Sequence, residues 1–448
     1  MSADAGEYQS LTSDEATSPI SDKKERNVKT ISLSLSMMGM GSMHAVIGPT
    51  LLDLASNLHS NIDEVSLIFV GQACGFIIGT IMAGLVIDKM DHHLFLGALM
   101  LIASGITTLV PLMPSITLLF IVGVCRGTCI RALEIACNVS LLAVWGKASN
   151  MPMQILHLAL AVGCFISPIL VKPFLGTSRT LDSFQDSNDP NEFKNYSKMV
   201  ATDMVGSNIE FAYILLSIYT FFVGVFSLVV YKAWPRVYLK SGFLEVSKEE
   251  ESRSERSFRI RFVALGTVVL MIYFGVLLTY DGYLTTFGVI SDLHMSLGEA
   301  TSLAASFWAA FGIGRLIACL YANIANELVI VIFDIIGCLA GAFILAFKGD
   351  SSEIMLWTGT ITYGFFSASM GPATISFAHR YIDITGQIGA IYMIGAALGE
   401  AMLPFFIGQM IENYSAMWLM YIVLICTIAY IPIAGVAILM ALFHGERK

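Results

Sequence analysis

Four polar side chains interrupt an otherwise apolar stretch in the first third of the chain. Arg126, Arg131, Glu134 and Asn138 all lie within residues 117–145. On a helix, the last three share one face. A charge at the centre of a bilayer costs about 2.5–3.5 kcal/mol on insertion scales, so such groups usually face a partner or a wet cavity. If this stretch spans a membrane, we expect Glu134 to bind a hydroxyl or a cation, with Asn138 assisting and Arg131 paired to Glu134. The alternative is a structural i,i+3 ion pair.

Other apolar stretches carry further candidates. Amide, carboxylate and imidazole groups form hydrogen bonds with hydroxyl groups, and aromatic rings stack on the ring of a molecule that carries those hydroxyls. On this basis we predict substrate-binding roles for His44, Gln154, His157, Trp308 and Glu400, and an ion-coupling role for Asp281 alongside Glu134 and Arg131. Each of these also has a structural alternative: a bridging hydrogen bond for the histidines and Glu400, and a solvated helix end for Asp281.

The composition explains why these groups should be sought inside a membrane. Of the 448 residues, 56% are hydrophobic and only 13% are charged, about half the charged share of a soluble domain. A soluble enzyme, a nucleic-acid binder and a disordered scaffold are therefore excluded, and the net charge of −9 also disfavours nucleic acid. The eight cysteines lie in apolar runs without paired His or Cys ligands in loops, so we predict no metal site.

Hydropathy predicts an all-α membrane protein. A spanning helix needs about 20 mostly apolar residues, and the chain has twelve such stretches. Two polar segments divide them into six plus six. The predicted organisation is a disordered cytosolic tail at 1–30, a first bundle at 31–233 with an outer loop at 176–208, a cytosolic linker at 234–261, a second bundle at 262–443 and a short cytosolic tail at 444–448.

Loop charges predict the orientation. Eighteen Lys and Arg residues fall on the side of both termini, five on the other side and two within a span, which places the termini in the cytosol. N-x-S/T sequons at Asn195 and Asn413 fall on the outer side, so we predict a glycoprotein of the plasma membrane or an endomembrane. Tyr8–Leu11 reads Tyr-Gln-Ser-Leu, the Y-x-x-Φ pattern that sorting adaptors bind.

The loop after the second stretch resembles a signature of the major facilitator superfamily. In Gly84-Leu-Val-Ile-Asp88-Lys89-Met-Asp91-His-His, the residues Gly84, Asp88 and Lys89 match the family's G-x-x-x-D-R/K-x-G-R-R pattern. Asp91 stands in place of a glycine, and two histidines replace the basic pair. The resemblance implies two six-helix bundles and a role for Gly84, Asp88 and Lys89 in conformational gating.

Longer segments are similar to a narrower branch. They are Gly48–Ala55, Leu141–Pro168, Tyr280–Phe287 and Gly395–Pro404, and they resemble the major facilitator superfamily domain-containing 4 and sodium-dependent glucose transporter 1-like family, which is distantly related to fucose permeases. Glu134-Ile-Ala-Cys-Asn138 is similar to the acidic-x-small-x-Asn motif of those relatives. The resemblance implies sugar transport, and it assigns ion coupling to Glu134. The sequence lacks the Thr of that motif and has no Asp in the middle of its first span.

Taken together, these features predict a secondary active transporter of a hexose or a related neutral sugar, working by alternating access with Na⁺ or H⁺ as a coupling ion. No nucleotide-binding or nucleophile motif is present, so we expect neither an enzyme nor a cofactor. Two alternatives stay open. One is an organic-anion transporter that uses Arg126 and Arg131, and the other is a non-transporting receptor or chaperone-like member.

Overall fold

A computed structural model describes residues 22–178, 204–235, 253–321, 327–382 and 386–444. Helices dominate the described part of the chain, as the hydropathy predicts. A two-stranded antiparallel ladder, β1 (Thr177–Ser178) with β2 (Met204–Val205), adds a short clasp in which Thr177 pairs with Val205. The helices fall into two groups, separated at the predicted linker.

The first bundle contains eight helices, two of them short or bent continuations of their neighbours. They are α1 (Lys23–Ala45), α2 (Ile47–Leu58), α3 (Ile62–Val65), α4 (Leu67–Val86), α5 (His92–Leu109), α6 (Ile116–Trp145), α7 (Asn150–Val171) and α8 (Ile209–Ala233). Four single 3₁₀ turns follow α4, α5, α6 and α7, at Ile87–Lys89, Val110–Leu112, Gly146–Ala148 and Lys172–Phe174.

The second bundle contains six long helices. They are α9 (Arg253–Ile290), α10 (Leu297–Tyr321), α11 (Glu327–Lys348), α12 (Glu353–His379), α13 (Gly386–Asn413) and α14 (Trp418–His444). Ten helices of the described chain are long and apolar enough to span a bilayer, and α1 with α2 forms an eleventh span bent by 45°. Helix α12 is more polar, but its 27 residues reach about 40 Å and complete the twelve spans of the predicted fold.

Two helices begin earlier than the hydropathy predicted. Helix α1 starts at Lys23 rather than near residue 31, because the Asp22 side chain caps it by accepting from the backbone N–H of Lys24 at 2.8 Å. Glu25 and Lys29 then form an i,i+4 ion pair at 2.9 Å. Helix α9 starts at Arg253, inside the predicted linker. The predicted tail at 23–30 and linker at 253–261 are therefore helical.

Glycines bring α4 and α6 into close contact. Gly71, Gly75 and Gly79 recur every fourth residue on α4 and lie against the backbone of α6, and Gly123 and Gly127 of α6 lie against the backbone of α4. A Cβ atom at Gly75 would lie 2.7 Å from the backbone nitrogen of Thr128. Small residues at this spacing let helix backbones approach closely in a membrane, where there is little hydrophobic driving force between helices. The contact fixes α6, and with it Arg126, Arg131 and Glu134, inside the first bundle.

We predict that Gly75→Ala lowers the thermal unfolding midpoint of the purified protein, because the added methyl group would separate α4 from α6. Overpacking of this kind costs about 1–3 kcal/mol. Gly105→Ala on α5 is the matched control, since a Cβ atom there meets nothing within 4 Å. Equal midpoints for the two variants would show that the glycines are not needed for the contact.

The two bundles share one core at only one end. We call the end where α1 begins and α14 ends the terminal face, and the opposite end the loop face. Toward the loop face a single cluster of buried residues joins both bundles, for example Leu51 and Phe69 with Tyr280 and Met420. Toward the terminal face the described residues form separate clusters, one in each bundle, with only Ala397 crossing. The described structure is therefore closed at the loop face.

Three helix pairs make that closure. Helix α2 packs on α9, α4 on α13, and α7 on α10. Two polar contacts also join the bundles near the loop face. The Lys172 amine, in the turn after α7, donates to the Ser302 hydroxyl of α10 at 2.8 Å, and the Gln409 amide of α13 donates to the Asp63 carboxylate of α3 at 3.1 Å.

Candidate functional site

Arg131 lies at the centre of the site and bridges the two bundles. Its Nη1 donates to Glu134 Oε2 at 2.8 Å, one turn away on α6. Its Nη2 donates to Glu400 Oε2 at 3.1 Å, on α13 of the other bundle. The predicted pairing of Arg131 with Glu134 is present in the structure. The second partner was not predicted, because the two residues are 269 positions apart and no spacing rule joins them.

The guanidinium of Arg131 is also held from two other directions. Its Cζ lies 4.6 Å from the centre of the Phe76 ring on α4, a cation–π distance. Its Nη1 lies 3.6 Å from Met393 Sδ on α13. Arg131 is therefore held by contacts with α4, α6 and α13, and the contacts with α13 join the two bundles.

The three charged groups differ in their access to water. The side chains of Arg131 and Glu400 are each 5% exposed, whereas that of Glu134 is 25% exposed. One guanidinium serves two carboxyl groups, so the cluster carries excess negative charge when both are ionised. Burying net negative charge costs free energy, so a bound proton or another cation would stabilise the cluster. Glu134 is the carboxyl group that such a species would reach first.

Asn138 extends this cluster by one turn of α6 toward the terminal face. Its side chain is half-buried, and its Oδ1 has no hydrogen-bond partner among the described residues. An amide beside a partly exposed carboxylate can accept from and donate to a polyhydroxyl ligand. The structure thus keeps Glu134 and Asn138 on one face, as helical periodicity predicts.

Asp281, Trp308 and His44 form a second cluster across the bundles. Trp308 Nε1 on α10 donates to Asp281 Oδ1 on α9 at 2.5 Å. The His44 ring on α1 meets the Trp308 ring edge-on, with centroids 6.4 Å apart. Asp281 is 2% exposed and lies nine residues before the end of α9. The solvated helix end that the sequence left open for Asp281 is therefore wrong.

Gln154 and His157 lie on α7, which packs against α10. Both side chains are half-buried. His157 lies within electrostatic range of Arg315 on α10. No described contact joins His157 to Arg131 or to Asp281, and both residues lie on a helix that takes part in the contact between the bundles.

The predicted gating residues occupy the end of α4 and the turn after it. Gly84 is buried in α4, and Lys89 is exposed in the turn Ile87–Lys89. The side chain of Asp88 lies outside the described set. Asp91, which replaces a glycine of the family signature, caps α5: its Oδ1 accepts from the backbone N–H groups of His93 at 2.7 Å and Leu94 at 3.2 Å. The departure from the signature therefore has a structural role.

The remaining predictions concern modification and sorting. Asn413 ends α13, and its Nδ2 donates to the carbonyl of Gln409 at 2.8 Å. Asn195 and the segment Tyr8–Leu11 lie outside the described residues. Glycosylation and adaptor binding stay predictions.

The structure adds two buried polar groups, Arg126 and Asp334, to the candidate functional residues. Arg126, 1% exposed, donates through Nη1 to Gln72 Oε1, and its Nε and Nη2 have no hydrogen-bond partner among the described residues. Asp334 on α11, 4% exposed, accepts from the Ser369 hydroxyl at 2.7 Å. Asp334 was not among the predicted residues, although a carboxylate within an apolar stretch is a sufficient signal of such a group.

A helical membrane fold of two bundles with a charged cluster between them is the architecture of a membrane transporter. The family comparison agrees, since the chain belongs to the Major Facilitator Superfamily, whose model matches residues 31–404. Its members are transporters and not enzymes. The chain is accordingly a multi-pass membrane protein with a small-molecule substrate.

Two relatives indicate the branch of the superfamily to which the chain is similar. The chain is 30% identical over 392 residues to sodium-dependent glucose transporter 1 of Homo sapiens, covering 85% of this chain and 73% of that protein. It is 22% identical over 439 residues to major facilitator superfamily domain-containing protein 4A of Xenopus tropicalis, covering 87% and 86%. These findings confirm the branch that the motifs indicated.

Solved structures share the fold. The chain matches the xylose transporter XylE from E. coli, in a partially occluded inward open conformation, with a TM-score of 0.66 and 12% identity over 90% of this chain and 97% of that one. It matches the E. coli fucose:proton symporter FucP with a TM-score of 0.59 and 15% identity over 90% and 97%. At these identities the likeness concerns the fold alone.

Proposed function

We propose that this protein is a secondary active transporter of a hexose or a related neutral sugar, coupled to Na⁺ or H⁺. The observation that carries the proposal is Arg131, which holds Glu134 of its own bundle and Glu400 of the opposite bundle at 2.8 and 3.1 Å. An ion or ligand that binds to either carboxylate therefore alters the contact that Arg131 makes between the two bundles. The name of the relative that is 30% identical, sodium-dependent glucose transporter 1, supports both a hexose as substrate and Na⁺ as a coupling ion.

The surrounding side chains suit a sugar. Asn138 offers an amide, Glu134 a partly exposed carboxylate, and Trp308 with Asp281 an aromatic–acid pair. Ligand sites generally combine apolar walls with a few placed polar groups, and the neighbouring Asn138 amide and Glu134 carboxylate can bind hydroxyl groups. His44 packs against Trp308, and His157 lies on α7, which packs against α10; we propose that they contact larger substrates.

Coupling follows from the charge of the Arg131 cluster. A proton or Na⁺ at Glu134 would neutralise the excess negative charge and compete with Arg131 for that carboxylate. A weaker Arg131–Glu134 pair changes how firmly Arg131 holds Glu400. The interbundle contact then opens or closes with ion occupancy, and the bundles rock around the site to give alternating access. Asp281 is a second carboxylate at which the ion could bind.

The orientation completes the proposal. With both termini in the cytosol, the loop face is the outer side, and the structure is closed to the outside. The sugar would then reach Asn138 and Glu134 from the cytosolic side, and a loop-face opening would admit it from outside. Gly84, Asp88 and Lys89, at the cytosolic end of α4, would close the cytosolic side in that state.

Sugar binding by the purified protein tests the substrate. We predict that Asn138→Ala weakens glucose or fucose affinity about five- to tenfold, because one or two hydrogen bonds are lost. Folding should be unchanged, since Asn138 Oδ1 has no partner among the described residues. Asn208→Ala, at the start of α8, is the control and should bind sugar normally. Calorimetry would measure both, and equal affinities would remove Asn138 from the site.

One observation favours an organic-anion transporter as the second candidate function. Arg131 is neutralised by two carboxylates, but Arg126 has only the amide of Gln72 as a described partner. A buried guanidinium without a carboxylate is stabilised by an anionic ligand. Binding of glucuronate in preference to glucose, with loss of that preference in Arg126→Gln, would establish this alternative and displace the neutral sugar.

A further inference from the structure

Asp334 is a buried carboxyl group of the second bundle that the proposed transport mechanism does not use. It lies on α11 and is 4% exposed, whereas Ile332, Phe333 and Ile336 of the same helix are exposed on the outer surface. Helix α11 packs on α12 and α14 of its own bundle. The Asp334 side chain therefore points into the second bundle and away from the surrounding lipid.

A single hydroxyl group is the hydrogen-bond partner of Asp334 in the described part of the chain. The Ser369 hydroxyl, on α12, donates to Asp334 Oδ2 at 2.7 Å. The ion pairs of the described residues involve Lys29 and Arg131 as cations, and neither of them pairs with Asp334. The carboxyl group is thus buried without a counter-charge among the residues that the structure describes.

The other titratable groups around Asp334 do not supply that charge. Cys338 lies one turn further along α11, Tyr273 comes from α9 and Tyr430 from α14, and all three are within electrostatic range of Asp334. Thiols and phenols are ordinarily neutral at pH 7. Arg315 of α10 acts electrostatically on Tyr273, but it forms no ion pair with Asp334 in the described structure.

These surroundings favour a proton over any larger ligand. An ionised carboxylate that is removed from water is unfavourable unless a counter-ion and further hydrogen bonds offset the loss of hydration, and one hydroxyl group does not. A metal cation would need several oxygen ligands, whereas the structure places only the Ser369 hydroxyl on Asp334. A proton needs neither a cavity nor additional ligands, so it can neutralise the carboxyl group within the packed bundle.

We propose that Asp334 is a proton-binding site of the second bundle, separate from Glu134, and that it is a neutral carboxylic acid in the structure closed at the loop face. The Ser369 hydroxyl then donates to the carbonyl oxygen Oδ2. The proton site does not rest on the proposed sugar transport.

The position of Asp334 gives the proton a short path and a structural effect. Helix α11 begins at the terminal face, because successive helices alternate in direction and α14 ends there. Asp334 lies seven residues after the start of α11, a rise of about 10 Å. Pro372 interrupts α12 three residues after Ser369, and prolines are where helices usually bend. Loss of the proton would therefore change the contact of α11 with α12 at the point where α12 bends most readily.

Infrared spectra of the purified full chain test the site, because a protonated carboxylic acid has a carbonyl band that a carboxylate lacks. The spectrum of the parent minus that of Asp334→Asn should contain a protonated-acid band at neutral pH and no carboxylate band. Ser369→Ala should keep this band but shift it to higher frequency, since the carbonyl oxygen loses its hydrogen bond. Glu353→Gln, an exposed carboxylate at the start of α12, is the control and should change carboxylate bands alone.

Thermal unfolding gives a second readout of the same proton. The folded protein would hold a proton that the unfolded chain releases at neutral pH, so its stability should fall as the pH rises. Asp334→Asn cannot release that proton and should lose this part of the pH dependence, whereas Glu353→Gln should keep it.

Three outcomes would overturn the proposal. A carboxylate band in place of the acid band, in the parent minus Asp334→Asn spectrum, would show that Asp334 is ionised. Loss of the acid band in sodium chloride but not in choline chloride would assign the site to Na⁺. If Asp334→Asn fails to fold, the frequency shift in Ser369→Ala still identifies the band, and the absence of any shifted band would exclude Asp334. Neither readout involves sugar, so a failure of the proposed transport function would leave the proton site unaffected.

Discussion

Glu134→Gln is expected to abolish gradient-driven sugar uptake while sugar exchange persists. The amide keeps the shape and the hydrogen-bonding atoms of the carboxyl group, but it can neither bind a proton at neutral pH nor attract Na⁺. Glu134 is the most exposed member of the cluster, at 25%, so it is the carboxyl group that an entering ion reaches. Uptake and exchange of labelled sugar would be measured in vesicles that contain equal amounts of purified protein.

Glu64→Gln is the matched control for that experiment. Glu64 is an exposed carboxylate on α3 near the loop face, and its neutralisation should leave uptake unchanged. Normal gradient-driven uptake in Glu134→Gln would show that the coupling ion binds elsewhere. Asp281 would then be the next carboxylate to examine, because it also lies between the bundles.

Arg131→Met is expected to destabilise the protein by about 3–5 kcal/mol, because removal of one partner leaves the buried Glu400 without a counter-charge. The variant should unfold at lower denaturant concentration, with loss of helical circular dichroism as the readout. It should also lose transport. Lys348→Met, an exposed cation at the end of α11, is the control and should have the stability of the parent.

A double variant distinguishes a lost ion pair from lost packing. Replacing Arg131 and Glu400 together by Met removes both buried charges, which is often neutral or stabilising. Stability should therefore return most of the way to that of the parent, while coupled transport stays absent. If the double variant is as unstable as the sum of the two single changes, Arg131 and Glu400 do not act as a pair.

The fold could be predicted largely from hydropathy. A bilayer demands about 20 apolar residues per span, and this constraint is strong enough to define the spans from composition alone. The errors lie at helix ends. Asp22 capping and the Glu25–Lys29 ion pair extend α1 into a polar segment, and such local interactions leave no trace in an average over apolar residues.

The site could be predicted in part. Helical periodicity placed Arg131, Glu134 and Asn138 on one face, and the structure keeps them there. The partnership of Arg131 with Glu400 depends on how two bundles pack, which no local pattern encodes. The contact between Asp281 and Trp308, 27 residues apart, depends on how α9 packs on α10 within the second bundle. Long-range packing therefore decides which of the predicted residues act together.

The family signature illustrates a different limit. Asp91 departs from the pattern, and from the sequence alone the loop reads as a degraded motif. The structure gives the residue a definite role as the cap of α5, with two backbone N–H groups bound to one carboxylate oxygen. A residue that departs from a family motif can thus stabilise the helix that follows the motif.

Uptake of labelled glucose and fucose into vesicles bearing the purified protein tests the central claim most directly. Each sugar would be supplied with an inward Na⁺ gradient, an inward H⁺ gradient or neither, and glucuronate would serve as the anionic comparison. We predict saturable sugar uptake that follows one of the two gradients and is absent in Glu134→Gln. Uptake that ignores both gradients, or uptake of glucuronate alone, would contradict a coupled sugar transporter centred on Arg131, Glu134 and Glu400.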